Sequence, residues 1–200
     1  MHIGQVYSVK GVTNSGADYA EYLKEWHDGN ADNEDRRGYF VTVKNGKLYK
    51  AEPGDYIVGI TSGNPSVIGN GYEDWLGRWK RDEFNELIFE DVEVFDYETQ
   101  IGEDGSTTLV KIGSHIEKRT VQVENYDPTQ KYIERKYRPE WSCVGMIGVI
   151  PLRDDGTCEP GGFAKCGGGG IATKADEWEC HKTFFVIERI NNHIVSVGMR

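Results

Sequence analysis

Two carboxylic acids, Asp18 and Glu21, lie three residues apart near the start of this 200-residue sequence, and their chemistry raises the question of their role. They lie in the stretch GADYAEYLKEW, residues 16–26. Paired carboxyl groups can hydrolyse an amide, because one can act as a general base while the other acts as a general acid. Two nearby carboxyl groups also push their pKa values apart, which brings one of them closer to neutral pH. The pair therefore leaves two interpretations open, a cut in the chain or a helix cap.

The same two acids also fit a purely structural role. Asp18 followed by Glu21 is typical of a capping box, in which each side chain binds a backbone N–H at the start of a helix. The stretch therefore predicts a helix over residues 18–26, whether or not the acids are catalytic. The apolar positions recur at i, i+3, i+4 and i+7, as on one face of an amphipathic helix: Tyr19, Tyr22, Leu23 and Trp26.

The rest of the chain is patterned mainly as β-strands. Residues 39–52 predict a hairpin whose tight turn is Asn45-Gly46. Three further strands are predicted over FEDVEVFDYET, TTLVKIGS and KRTVQVEN, and a terminal hairpin turns at the NN of residues 191–192. A second short helix is predicted over residues 73–85. We therefore expect a mainly β fold: an antiparallel, barrel-like β domain with an N-terminal helix and one further short helix.

Charge and hydropathy restrict the partners. With 23 Lys plus Arg against 33 Asp plus Glu, the net charge is −10, which disfavours binding to a nucleic-acid backbone. No stretch approaches the roughly 18 apolar residues of a membrane helix. The first sixteen residues contain no apolar signal-peptide core. We expect no nucleic acid and no membrane as partners, and a bacterial or phage protein made in a reducing cytosol.

The cysteines and histidines show no metal-binding spacing. Cys143, Cys158, Cys166 and Cys180 form no CxxC pair, and the five histidines form no HExxH motif. We predict no metal site and four ordinary thiols. A disulfide between Cys158 and Cys166 stays open as an alternative.

Two further motifs give weak indications of ligands. Asp28, Asn30 and Asp32 alternate like the start of a calcium loop, but position six is Asn33 and position twelve is Tyr39, so the EF-hand pattern fails. The glycine run CGGGGIATK resembles a phosphate-binding nest, but it lacks the GK[ST] ending of a P-loop. No cofactor is required by the sequence, and calcium or a nucleotide is only weakly supported.

Several longer motifs resemble one protein family, in order, over roughly residues 6–200. The chain resembles the C-terminal autoproteolytic domain of phage neck-appendage and tail-spike proteins, a family G2 peptidase also called an intramolecular chaperone domain. The motifs are GADYAEYLKEW, DGNADNEDRRGYFVT, PGDYIVGITSGNPSVIG, RPEWSCVGMIGVIPLRDDGTC and RINNHIVSVGMR.

The resemblance implies a cleavage site and a division of the chain. The scissile bond would be Ala17–Asp18, with Asp18 and Glu21 as the catalytic acids of a single-turnover, glutamic/aspartic-type endopeptidase. Residues 1–17 would be the end of the mature tail-spike stem, and residues 18–200 the chaperone domain that releases itself. The implied partners are two further copies in a homotrimer and the upstream tail-spike domains of the same polypeptide. The domain would act in the host cytoplasm during phage assembly and leave the spike after the cut.

One residue departs from the family pattern. Members of the family can carry Ser before the Asp, where this chain has Ala17. If a hydroxyl is the nucleophile, the chain is a non-cleaving trimerisation or chaperone module; if the carboxyl groups activate water, Ala17 is compatible with cleavage. The nucleophile, and whether the cut occurs within one chain or between chains, both stay open. A cell-wall-degrading tail enzyme is a third interpretation, but no further acid pair supports it.

Overall fold

The structure is a computed structural model that describes residues 15–71, 78–129, 131–176 and 183–199. The chain divides into two compact units. The larger unit combines the described parts of residues 1–72 and 133–200, and the smaller unit comprises those of residues 73–132.

The described residues form β-strands, with one short 3₁₀ helix at Arg135–Tyr137. The strands of the larger unit that precede the smaller unit are β1 (Asp18–Glu21), β2 (Phe40–Lys44), β3 (Lys47–Lys50), β4 (Gly59–Thr61) and β5 (Val67–Gly69). The smaller unit contributes β6 (Phe89–Ile101) and β7 (Thr107–Thr120). The larger unit then continues with β8 (Val144–Arg153), β9 (Phe163–Gly168), β10 (Ile171–Ala175), β11 (Phe184–Asn191) and β12 (Ile194–Met199).

The larger unit is built on one sheet whose main path runs β10-β9-β11-β12-β8-β4-β2-β3, with β1 and β5 attached beside β8. All of its strand pairs are antiparallel except β1 with β5. The mainly β, antiparallel expectation is confirmed. The barrel is not: the path ends at β3 and β10, which do not pair with each other, so the sheet is open.

The predicted hairpins are confirmed at both ends of the larger unit. Strand β2 pairs with β3 in the register Lys44↔Lys47, which leaves Asn45 and Gly46 as the two turn residues. Both have positive φ, 50° and 72°, as the tight turn that matches strand twist requires. Strands β11 and β12 form the terminal hairpin, closing at the pair Asn191↔Ile194, one residue later than the sequence suggested.

The core of the larger unit lies under β2, β4, β8 and β12. Trp26 is fully buried, and its indole Nε1 donates to Ser142 Oγ at 2.9 Å. Such a bond meets the need of a buried indole N–H for an acceptor. The main cluster is Phe40, Ala51, Ile60, Ile150, Leu152, Cys158, Ala164, Ala172, Val186, Val195, Val197 and Met199.

The smaller unit is dominated by a long two-stranded hairpin of β6 and β7. The turn of residues 102–106 is as predicted, with the N–H of Gly102 donating to the carbonyl of Ser106 at 2.8 Å. The predicted break between TTLVKIGS and KRTVQVEN is wrong, because β7 runs without interruption to Thr120 and pairs with β6 on both sides of a register shift at Asp96/Tyr97. Ser114, His115 and Glu117 of SHIE are polar, and a strand that is largely exposed tolerates them.

The two helix predictions are not borne out. The segment predicted as the N-terminal helix begins with strand β1 and continues with isolated bridges from Glu25 to Trp141 and from Trp26 to Leu48. Strands available on both sides of the segment outweigh a weak local propensity for helix. Of the second predicted helix, residues 73–77 lie outside the described residues, and residues 78–85 contain isolated bridges and turns without a helix.

The glycine run belongs to a hairpin of β9 and β10, with a turn at Gly169-Gly170. The N–H of Gly169 donates to the Glu52 carboxylate at 3.1 Å, and the N–H of Gly170 donates to the carbonyl of Ala51 at 2.8 Å. These two amides of the run are therefore used within the chain itself. In the described part of the chain, no helix has the length and apolar character needed to cross a membrane.

Candidate cleavage site

The candidate site is built on strand β1, which lies between two partners. Strand β5 pairs with it in parallel through Tyr19↔Val67, and β8 pairs with it antiparallel through Asp18↔Gly148. The ladder with β8 shifts register between Tyr19 and Ala20, as at a β-bulge. Pairing on both sides fixes the backbone at the start of β1, which is where the resemblance places the scissile bond.

The strand separates the two predicted catalytic acids. Side chains alternate between the two faces of a strand, so residues three apart point in opposite directions. Burial follows this alternation: Asp18 and Ala20 are buried, whereas Tyr19 and Glu21 are partly exposed. The capping-box interpretation is therefore wrong, and within one chain the Asp18 and Glu21 carboxyl groups do not meet.

Asp18 lies in an unusual environment for a carboxylic acid. The residue is 4% exposed, its Oδ1 accepts a hydrogen bond from Ser62 Oγ at 3.2 Å, and its Oδ2 has no hydrogen-bond partner among the described residues. Burial raises the pKa of this carboxyl above its ordinary value, although the Ser62 bond acts in the opposite direction. A buried carboxyl with an unpaired oxygen favours its neutral form, because ionisation there is poorly solvated.

Gly145 makes room for the Asp18 side chain. A Cβ at this position would lie 2.7 Å from Asp18 Oδ2 and 2.4 Å from Ile150 Cδ1. Any residue larger than glycine would therefore displace the carboxyl or the core. Cys143 is also close enough for the Asp18 charge to raise the pKa of its thiol, in addition to the larger effect of burial.

Glu21 lies on the other face of β1, beside β5. Its Oε1 accepts a hydrogen bond from the phenol of Tyr19, two residues back on the same face. This bond raises the pKa of the Tyr19 phenol. Gly69 permits the approach, since a Cβ there would lie 2.6 Å from Tyr19 Oη and 2.8 Å from Glu21 Cγ.

The Ala17–Asp18 peptide is held by hydrogen bonds at its own carbonyl, that of Ala17, and at the next carbonyl along the chain, that of Asp18. The Ala17 carbonyl accepts from the N–H of Val149 at 3.2 Å. The Asp18 carbonyl accepts from the N–H of Ser66 at 2.7 Å and from Ser66 Oγ at 2.8 Å. The peptide is therefore fixed in position before any reaction.

A cavity of about 600 Å³ opens beside this peptide. Ala17 itself is exposed, so the cavity gives water a route to its carbonyl carbon. Other residues at its wall are Asp18, Arg37, Ser62, Asn64 and Arg153.

The sequence reasoning did not identify Ser62, Gly145 or Gly148 as parts of the site. The hydroxyl of Ser62 comes from the loop after β4, far along the chain, and no local pattern links it to Asp18. The two glycines did carry a signal, because a glycine inside an apolar strand pattern often marks a bulge or a close backbone approach.

In the stretch that resembles a calcium-binding loop, the first carboxylate forms a salt bridge with an arginine. The guanidinium of Arg36 binds both carboxylate oxygens of Asp28, at 2.8 Å and 2.6 Å, and holds the pKa of Asp28 well below its usual range. No group of three or more His, Cys, Asp or Glu side chains that could hold a metal ion occurs in the described ranges. Cys143, Cys158 and Cys166 are free thiols, so the structure contains no disulfide between Cys158 and Cys166.

The class of this domain, with its open antiparallel sheet and the acid-bearing strand at a cavity, is given by a family of self-cleaving domains that its sequence matches. Residues 3–191 match the family model described as Peptidase_G2, IMC autoproteolytic cleavage domain. The chain belongs to this family.

Similar proteins include appendage proteins of Bacillus phages. The pre-neck appendage protein of Bacillus phage phi29 is 34% identical over 166 residues, which is 82% of this chain and 17% of that protein. The pre-neck appendage protein of Bacillus phage B103 is 35% identical over 176 residues, covering 88% of this chain and 18% of that protein. The chain thus spans less than a fifth of the length of these relatives.

Two solved structures share the fold. The crystal structure of the pre-mature bacteriophage phi29 gene product 12 aligns with a TM-score of 0.73 at 28% identity, over 99% of this chain and 24% of that one. The crystal structure of the phi29 gene product 12 C-terminal fragment aligns with a TM-score of 0.64 at 29% identity, over 92% of this chain and 100% of that one.

Proposed function

We propose that the chain is the self-cleaving chaperone domain of a phage neck appendage or tail spike, and that it cuts its own Ala17–Asp18 bond. The observation that carries the proposal is the Asp18 carboxyl, which is buried, lacks a partner at Oδ2 among the described residues, and belongs to a residue of that bond. Membership in an autoproteolytic cleavage family supports it. Residues 1–17 then end the mature stem, and residues 18–200 form the released domain.

The proposed reaction is hydrolysis. Water adds to the carbonyl carbon of Ala17, the bond to the Asp18 nitrogen breaks, and this nitrogen takes up a proton. The products are a carboxylate on Ala17 and a new α-amino group on Asp18. The neutral Asp18 carboxyl is suited to supply the proton, because burial raises its pKa.

Glu21 is the second acid of the proposal, and it acts as the base that takes a proton from the attacking water. Within one chain, Glu21 faces away from the Asp18 carboxyl. In the proposal, the Glu21 that serves a given bond therefore comes from a neighbouring copy. Cleavage then requires assembly, so a chain is cut only after it has found its partners.

The assembly in this proposal is a homotrimer, as in the spikes that the family resemblance implies. Support comes from the hairpin of β6 and β7, because an isolated two-stranded hairpin is marginally stable and a closed ring of copies covers its exposed surface. The large apolar side chains exposed on it are Phe89, Phe95, Tyr97, Ile101, Leu109, Val110, Ile112 and Ile116.

Sedimentation equilibrium tests the assembly. At micromolar concentration we expect three times the mass of one chain, which is 22.6 kDa before cleavage. Ile112→Lys places a charge on the exposed hairpin and should weaken the trimer, whereas Thr108→Lys, on the same strand at an exposed polar position, is the matched control. A natural chain that sediments at its monomer mass contradicts the trimer.

The wider setting is also part of the proposal. The relatives are phage appendage proteins that extend far beyond this domain, so we place upstream spike domains in the same polypeptide. The domain then acts during phage assembly in the bacterial host and leaves the appendage after the cut. Neither a nucleic acid nor a membrane has a part in it.

A non-cleaving chaperone is the second candidate function, and Ala17 is the observation that favours it, since this residue offers no hydroxyl nucleophile. Intact-mass measurement during prolonged incubation distinguishes the two. A fragment that begins at Asp18 supports cleavage. A natural chain that stays whole while Ala17→Ser cuts supports the non-cleaving module, and if both stay whole the cleavage proposal is wrong.

A further inference from the structure

We infer that strand β8 stabilises the oxyanion that forms during cleavage. The backbone N–H of Val149 stabilises the negative charge that develops on the Ala17 carbonyl oxygen, and Gly148 makes that contact possible. The inference rests on the proposed cleavage of the Ala17–Asp18 bond. It assigns a catalytic group to the main chain, where no side-chain motif could reveal it.

The contact between the two backbones is direct. The Val149 N–H donates to the Ala17 oxygen at 3.2 Å, next to the ladder pair Asp18↔Gly148. An oxyanion needs donors at about 2.7–3.1 Å, so the bond is close to the required length before the oxygen carries a charge.

Gly148 has a conformation and a position that other residues could not adopt. Its φ is 117°, in the region that favours glycine. A Cβ there would lie 2.4 Å from the Ala17 oxygen and 2.8 Å from Asp18 Cα. The glycine therefore lets the β8 backbone come into contact with the scissile peptide itself.

An N–H bonded to a carbonyl is common to every ladder in a sheet, so the bond alone would not indicate catalysis. Three features distinguish this one. The accepting carbonyl belongs to an exposed residue, its peptide forms part of the wall of a cavity of about 600 Å³, and a buried carboxylic acid follows on the next residue. A route for water, a carboxylic acid and a charge-stabilising donor thereby meet at one peptide bond.

The chemistry follows from where charge develops. When water adds to the Ala17 carbon, the carbonyl oxygen gains negative charge until the bond to the Asp18 nitrogen breaks. A donor that is already in place stabilises this charge more than the neutral carbonyl. The amide itself gains and loses no proton. Removal of one such donor lowers a rate by about 10²–10³-fold.

The decisive experiment deletes the N–H and leaves the side chain in place. Val149 is replaced by its α-hydroxy analogue through cell-free translation, which turns the peptide bond before it into an ester. The control is the same replacement at Val58. The N–H of Val58 donates to the Val41 carbonyl at 2.9 Å, and neither residue belongs to β1. We expect the first-order cleavage rate to fall about 10²–10³-fold for the Val149 ester and to stay at the parent rate for the Val58 ester.

A second pair of variants tests the role of Gly148. Gly148→Ala should reduce cleavage and move the β1 backbone, whereas Gly168→Ala, at a comparable φ of 129° but against the flexible Glu52 side chain, should cut normally. If the Val149 ester cuts as fast as the Val58 ester, the inference is wrong while the proposed function stands. If the natural chain and Ala17→Ser both stay whole, the proposed function fails and the inference fails with it.

Discussion

The hydroxyl of Ser62 donates to Oδ1 of Asp18 across a separation of 44 residues, and it is the side-chain hydrogen bond that the buried carboxyl accepts. The bond fixes the orientation of the carboxyl and leaves Oδ2 beside Gly145. It also lowers the pKa of Asp18, in opposition to the stronger effect of burial. Ser62 therefore controls both where the acid points and the pH at which it holds its proton.

Replacement of Ser62 should shift the pH dependence of cleavage. Cleavage needs neutral Asp18 in our account, so the rate falls as pH rises through the pKa of this carboxyl. Ser62→Ala removes the interaction that lowers this pKa, so the falling limb of the pH–rate profile should move to higher pH. Ser142→Ala, which also deletes a serine hydroxyl that forms a hydrogen bond, is the control and should leave the profile in place. An unmoved profile in Ser62→Ala contradicts the role of Asp18 as the acid.

Asp18 should also make the stability of the fold depend on pH. Its pKa in the folded chain is raised above the ordinary value of 3.8, so the folded state holds this proton more tightly than the unfolded state. The resulting contribution to stability is fully present below the unfolded pKa and is lost as pH rises through the folded pKa.

Urea denaturation at a series of pH values tests this dependence. The free energy of unfolding of the parent should fall relative to that of Asp18→Asn as pH rises above 3.8, and the difference should then level off. Asp104→Asn is a control for an exposed carboxyl whose pKa is lowered, and its difference from the parent should change in the opposite direction. Parallel curves for the parent and Asp18→Asn would show that Asp18 titrates normally.

Glu21 and Asp18 should complement each other between chains. Each of Glu21→Gln and Asp18→Asn should cut at least about 10²-fold more slowly than the parent, since each lacks one acid–base group. Mixed trimers, formed by co-expression, should regain cleavage of the Glu21→Gln chain, because its bond retains Asp18 and a neighbour supplies Glu21. Mass spectrometry identifies which chain has been cut. A mixture in which neither chain is cut would show that the two acids must belong to the same chain.

Gly145 should tolerate no side chain. Gly145→Ala places a Cβ 2.4 Å from Ile150 Cδ1 and 2.7 Å from Asp18 Oδ2, and overpacking of this kind costs about 1–3 kcal/mol. Gly198→Ala is the matched control on the neighbouring strand β12, where the nearest atom would be 3.7 Å away. Urea denaturation should show the loss in the first variant and little change in the second. Equal stabilities would mean that the backbone of β8 is free to move away from Asp18.

The hairpins were predictable because their signals are local. Asn45 and Gly46 determine the turn between β2 and β3 by their own conformational preferences, whatever surrounds them. The alternation of polar and apolar residues along β6 and β7 likewise predicted strands. It did not predict that β7 continues as one strand through the SHIE of residues 114–117.

The secondary structure of the β1 segment, strand rather than helix, was not predictable from its own residues. Tyr19, Tyr22 and Trp26 have helical spacing, yet Asp18, Ala20 and Tyr22 alternate as in a strand, and both periods fit so short a segment. The partners β5 and β8, which come roughly fifty and one hundred and thirty residues later, decide between them. Long-range pairing likewise brings Ser62 to Asp18 and Val149 to Ala17, so the full site could not be read from the motif alone.

Cleavage in water enriched in heavy oxygen tests the central claim most directly. If Ala17–Asp18 is hydrolysed, the released peptide of residues 1–17 gains one heavy-oxygen atom in its terminal carboxyl group, and the larger fragment begins at Asp18 without the label. The natural chain and Ala17→Ser should both be incubated, with Asp18→Asn as the uncut control. A labelled peptide that ends at Ala17 is the predicted result. A parent chain that stays whole, or a cut at any other bond, contradicts the account.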